Sequence, residues 1–135
     1  ALETAKHGPM LLEIEDREGK KEFKDVESLY RELLQENPNS VDYAIKYGQF
    51  LTRRQRYGEA ISVYLRGLSA NPDSLPLKTA LAFAYIGKGD RQIGQDLLES
   101  VLKKDPQSAE ALAGMGRIAE LEGKNQAAKA LYEQA

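Results

Sequence analysis

Asn37-Pro38-Asn39-Ser40, Asn71-Pro72-Asp73-Ser74 and Asp105-Pro106-Gln107-Ser108 stand 34 residues apart, twice in succession. The same interval links Leu34, Leu68 and Leu102, then Leu29, Val63, Leu97 and Leu131, and then Tyr30, Tyr64, Leu98 and Tyr132. It also links Val26, Ala60, Gly94 and Ala128, and a small residue recurs at Gly48, Ala82 and Gly116. A fixed period of this length is the signature of a repeat architecture, in which each unit buries its apolar face against the next.

Each unit reads as two helices. The Ser after each Pro is a good N-cap, and apolar residues then recur at helical spacing: Ala44, Tyr47 and Leu51, then Leu81 and Tyr85, then Leu112, Met115 and Ala119. The small residue at Gly48, Ala82 and Gly116 admits a neighbouring helix closely, a gain that must exceed the helix cost of glycine, about 1 kcal/mol. Polar turns follow at Arg54 to Tyr57, Lys88 to Arg91 and Glu122 to Asn125, two of them with a helix-stopping glycine, Gly89 and Gly123. Second helices are predicted over roughly 58–70, 92–104 and 126–135, with a buried stripe of Ala60, Val63, Tyr64 and Leu68. The proline beyond each one ends it.

Composition agrees with an all-helical reading. Of 135 residues, 41% are apolar and 30% charged, and 18 Leu and 16 Ala outweigh 10 Val plus Ile. No cysteine is present, and His7 is the one histidine, so thiolate chemistry, a histidine metal cluster and a Ser-His-Asp arrangement lack their parts. No metal or cofactor is expected. A net charge of −2 with both signs dispersed disfavours a phosphate-backbone partner, so nucleic acid is not expected. No apolar run is long enough to span a bilayer, and direct membrane insertion is not expected. The Glu13, Glu15, Asp16 and Glu18 cluster reads as a solvated face, and Gly87-Lys88-Gly89-Asp90 lacks the context of a phosphate loop. No nucleophile has a plausible base, and the chain is not expected to be an enzyme.

A 34-residue helix pair ending in Pro resembles the tetratricopeptide repeat. The family pattern W-x2-L-G-x2-Y, A-x3-F, P falls on Ala44, Tyr47, Gly48, Leu51, Ala60, Tyr64 and Pro72 in the best unit. The next unit offers Lys78, Leu81, Ala82, Tyr85, Gly94, Leu98 and Pro106; Lys78 and Gly94 depart from the pattern and predict a less tightly packed pair. The last offers Leu112, Met115, Gly116, Ala119, Ala128 and Tyr132. The resemblance implies an all-α, right-handed α-α superhelical solenoid of about three and a half repeats. The predicted division is a degenerate first unit over 9–40, units over 41–74 and 75–108, and a truncated unit over 109–135, with 1–8 a flexible or artificial leader. Within the first unit, Phe23, Val26, Tyr30 and Leu33 fit a second helix. Residues 9–17 fit a short degenerate first helix with Pro9 in its first turn, Ile14 where Gly or Ala belongs and Arg17 at a core position; an extended Leu-Glu-Ile-Glu segment is the alternative. Because the fourth unit stops inside a helix, the chain reads as a piece of a longer array whose exposed end favours self-association.

The resemblance also implies that first helices line a concave groove for a partner protein or peptide. Carried over by position, the groove residues are Asp42, Ile45, Lys46, Gln49, Thr52 and Arg53, then Thr79, Phe83 and Ile86, then Glu110, Ala113, Arg117 and Glu120. Phe83 and Ile86 read either as an apolar anchor site or as packing against the neighbouring repeat. The two-carboxylate clamp by which some members hold acidic chaperone tails would fall on Ile45, Gln49, Ala80, Glu110 and Gly114, none of them a cation, which argues against that use. Arg53-Arg54-Gln55-Arg56 reads as a solvated turn or as an anion site. The expected function is a non-catalytic scaffold within a multiprotein assembly, by analogy a bacterial export, secretion or exopolysaccharide system in the envelope or periplasm, with a cytoplasmic adaptor sharing the same sequence features as the alternative setting. The alternatives are the recruiting arm of a larger enzyme and a pentatricopeptide-like nucleic-acid binder, the latter opposed by the strict period of 34 and the balanced charge.

Overall fold

The computed structural model describes residues 2–135, with side chains from Gly8 onward. Eight helices follow one another: α1 (Leu2–Gly19), α2 (Phe23–Glu36), α3 (Val41–Arg53), α4 (Tyr57–Ala70), α5 (Leu75–Lys88), α6 (Arg91–Lys104), α7 (Ala109–Leu121) and α8 (Asn125–Gln134). Each odd-numbered helix pairs with the next, and α3, α5 and α7 also touch in succession, which makes the chain a solenoid of stacked helix pairs.

The turns explain the strict period. Ser40, Ser74 and Ser108 each accept a hydrogen bond through the side chain, from the backbone N–H of Tyr43, Leu77 and Ala111 at 3.1, 3.3 and 3.3 Å. Their own N–H groups donate to Asn37, Asn71 and Asp105, each at 3.1 Å, closing a turn with Pro at its second position. The shorter turn within each pair puts one residue in the left-handed region: Lys21 (φ 61), Gln55 (φ 61), Gly89 (φ 105) and Gly123 (φ 77), each 34 after the last. Glycine suits this place, yet Lys21 and Gln55 hold the same geometry without it, so the first pair keeps the register of the others.

Ring size and glycine trade places between pairs. A Cβ at Gly48 would collide with the ring of Tyr64, and one at Gly116 would lie 2.9 Å from Cε1 of Tyr132. Between these units the same two positions hold Ala82 and Leu98, both fully buried. The larger small residue thus faces the smaller partner. The unit over 75–108 is not loosened by Gly94, contrary to the sequence expectation: the missing side chain admits Ile86, whose Cγ1 would lie 2.6 Å from a Cβ there. One core cluster runs from Ile14 to Ala84 and a second from Ala82 to Ile118. Fully buried Leu33, Leu51 and Leu77 each contribute about 1.5–3 kcal/mol.

The first unit departs most from expectation. Residues around 14 are helical, not extended, and α1 reaches well beyond the predicted 9–17, with Pro9 inside it instead of in its first turn. The leader assigned to 1–8 falls largely outside the described side chains. Ile14 is buried at 3% exposure despite occupying the small-residue place, because Tyr30, its partner by register, turns its ring onto Tyr47 (5.4 Å, stacked) and Phe50 (5.6 Å). Tyr30 and Tyr64 are core, whereas Tyr132 is 39% exposed, with no helix packed over α8 among the described residues.

Candidate functional site

Gln49 and Arg53, one helical turn apart on α3, look across to α1 over a concavity of about 350 Å3. Leu11 and Ile14 supply apolar surface, Tyr30 reaches in from α2, and Glu15, Glu18 and Lys46 give it charge of both signs. Arg53 donates to Glu18 at 3.2 Å, and the Tyr30 hydroxyl donates to the same carboxylate at 3.3 Å. Burial is the first cause that pushes the Tyr30 hydroxyl up to about 12, with Glu18 adding to it, so the phenol stays a neutral donor at ordinary pH. This arrangement offers an apolar floor, the Gln49 amide and paired charges. It has the parts of a side-chain recognition pocket and no nucleophile held by a base.

The remaining predicted groove residues divide by burial. Asp42 is exposed and pairs loosely with Lys46 at 4.0 Å, Ile45 is half-buried against the main core, and Glu110 and Arg117 are exposed on α7. Phe83 is half-buried with its ring against Gly114. Two assignments are corrected. Thr79 is 3% exposed, its hydroxyl donating to the Leu75 carbonyl at 2.9 Å, and Ile86 is 4% exposed in the second core cluster; neither is open to a partner. A first helix is covered by its own second helix and by both neighbouring units, so its free face is narrower than its helical period indicates. Glu120 lies at the α7–α8 end in a shallow concavity with Tyr132, Lys129 and Glu133, away from the α1–α3 pocket. Desolvation and then a hydrogen bond with Glu120 raise the Tyr132 hydroxyl above its ordinary value.

The Arg53–Arg56 run is a largely exposed turn at the end of α3, as one reading has it, and its three arginines also reach the first unit. Arg53 meets Glu18, Arg54 lies over the Phe23 ring at 3.6 Å, and Arg56 forms a two-point bridge to Glu27 at 2.8 and 2.9 Å. Glu27 also accepts from Arg31 at 2.7 Å and from the Tyr47 hydroxyl at 3.3 Å. The Arg56 hydrogen bond is the main cause that holds its carboxyl below the ordinary 4.5. The Arg56–Glu27 and Arg53–Glu18 partners lie 29 and 35 residues apart in the chain, too far for any local pattern to show them. They position α1 and α2, and with them the walls of the α1–α3 pocket. No group of three or more His, Cys, Asp or Glu able to hold a metal occurs among the described residues.

Two tetratricopeptide repeat models match the chain, one over residues 51–118 and one over 22–74. The chain belongs to the tetratricopeptide repeat family. Solved structures with the same fold include PilW, described as a widely conserved type IV pilus biogenesis factor, at 20% identity over 93% of this chain and 58% of that one, with a TM-score of 0.74. A MamA segment from Desulfovibrio magneticus RS-1 matches at 16% identity over 94% of this chain and 72% of its own, TM-score 0.71. PilF of Pseudomonas aeruginosa matches at 18% identity over 87% and 54%, TM-score 0.69. This chain therefore spans little more than half of the PilW and PilF chains. Repeats of this family are protein-interaction modules, and among the described residues no helix is long and apolar enough to cross a membrane.

Proposed function

We propose that the chain is a non-catalytic scaffold that holds a partner protein or peptide along the face lined by its first helices. The observation that carries the reading is the α1–α3 pocket, where Gln49, Arg53 and Lys46 meet an apolar floor between two consecutive first helices. Asp42, Phe83, Glu110 and Arg117 extend the same face along α3, α5 and α7 with charges of both signs and one half-buried ring, which suits a segment with apolar anchors and polar edges. The setting we propose is a multiprotein assembly such as a bacterial export, secretion or exopolysaccharide system; support comes from the fold shared with a type IV pilus biogenesis factor. Capture of a partner by the wild-type chain, weakened by Phe83→Ala and by Arg117→Glu with helical content retained, is the expected result. Undiminished capture by both variants removes the assignment of this face.

A further inference from the structure

On the opposite side, α2 and α4 stand apart over α3 and leave a cavity of about 510 Å3, within the range of roughly 300–1,000 Å3 typical of ligand pockets. Its floor is Ala44, Tyr47 and Gly67, and Leu34 and Val63 form apolar walls. Arg31 of α2, bonded to Glu27 at 2.7 Å, and Arg66 of α4 stand at its edge, and no carboxylate is among the lining residues. The other concavities differ in this respect, since Glu15 and Glu18 line the α1–α3 pocket and Glu120 and Glu133 the α7–α8 end. Glu27 is shared between Arg31 and Arg56, so in a chain of net charge −2 the edge of this cleft keeps an excess of positive charge.

The repeat does not demand these residues. One period on, Leu65 and Ser100 replace Arg31 and Arg66, while Lys78 and Val101 replace Ala44 and Gly67. The two arginines and the hollow between them belong to this junction and are not part of the pattern that builds the solenoid.

We propose that this outer cleft is a second peptide site, taking an acidic partner segment by inserting one bulky apolar side chain between α2 and α4 while flanking carboxylates meet Arg31 and Arg66. Apolar burial supplies the anchor and the guanidinium groups set its orientation. Two cations on separate helices call for an anion on each side of the anchor, which a peptide supplies and a free fatty acid, with one carboxylate, does not. The site is independent of the first-helix face.

The chain contains no tryptophan, so a synthetic peptide with a single Trp flanked on both sides by Glu reports directly on insertion. Its emission is expected to shift to the blue and saturate on titration with the protein. Arg66→Glu and Ser62→Phe, at exposed positions lining the cleft, should each raise the Kd about tenfold or more with unchanged helicity. Arg117→Glu, on the other face, should leave it unchanged, and a Lys-flanked peptide should fail to bind. The proposal is overturned by the absence of a shift at millimolar peptide, by equal binding of the Lys-flanked peptide, by wild-type affinity in both cleft variants or by loss of binding in Arg117→Glu. It is also overturned if dodecanoate binds saturably while the peptide does not.

Discussion

Gly48→Ala and Gly116→Ala place the same methyl group at the same repeat position, and the structure predicts opposite outcomes. At Gly48 the new Cβ runs into the Tyr64 ring and lies 2.6 Å from its hydroxyl oxygen, and Tyr64, 1% exposed, has no room to withdraw. Overpacking of this kind costs about 1–3 kcal/mol, against a helix gain of about 1 kcal/mol, so a net loss of up to about 2 kcal/mol is expected. At Gly116 the contact is milder, 2.9 Å to Cε1 of Tyr132, and that ring is 39% exposed and can swing into water. The propensity gain then dominates, with stabilisation of up to about 1 kcal/mol. The double variant Gly48→Ala/Tyr64→Leu recreates the Ala82–Leu98 pair of the next unit and should show a favourable coupling of about 1–2 kcal/mol. Thermal unfolding followed by circular dichroism reads the wild type, the single variants Gly48→Ala, Gly116→Ala and Tyr64→Leu, and the double variant, each kcal/mol moving Tm by roughly 3–5 °C at this size. Equal responses at Gly48 and Gly116, or no coupling in the double variant, would refute the argument from ring confinement.

Three further outcomes follow from the turns and the junction. Gln55→Gly should stabilise the chain by about 1 kcal/mol, since glycine occupies the left-handed position without the Cβ penalty, and urea unfolding measures the change. Glu27→Gln should cost about 1–3 kcal/mol at neutral pH, less than a wholly buried pair because Arg56 remains 34% exposed. The Glu27 carboxyl is depressed in the fold, so its contribution is present above pH 4.5 and lost as pH falls through the folded value; the gap between wild type and variant should close in acid. Tyr30 and Tyr64 are both raised to about 12, mainly by burial, so their contribution is complete below pH 10 and lost as pH climbs toward 12. Tyrosinate absorbance and loss of helicity should rise together in that window, and Tyr64→Phe should reduce the slope.

Interactions that recur with the period were legible in the sequence. Ser40, Ser74 and Ser108, the turn prolines and the small residues at Gly48, Ala82 and Gly116 take the roles their spacing assigns, because each acts within about twenty residues of its partner. The first unit was less legible. Lys21 and Gln55 carry no composition cue for a left-handed turn, and only their place 34 residues before Gly89 and its predecessor identifies them. Pro9 reads as a helix start by local rules, whereas α1 continues through it. The site divided on the same line. Helical period put Gln49 and Arg53 on one side of α3, where both line the α1–α3 concavity, but it also offered Thr79 and Ile86 to solvent because it takes no account of the units above and below α5. Glu18 and Tyr30, which complete the pocket, come from α1 and α2 and have no local signal tying them to Arg53.

Photo-crosslinking from single positions tests the central claim most directly. A photoreactive side chain placed at Gln49 or Arg117 on the first helices, and at Glu99 on α6 as the outer control, reports which face the captured partner touches; all three positions are exposed. The account predicts crosslinks from Gln49 and Arg117 and none from Glu99. A partner that crosslinks from Glu99 alone would contradict it.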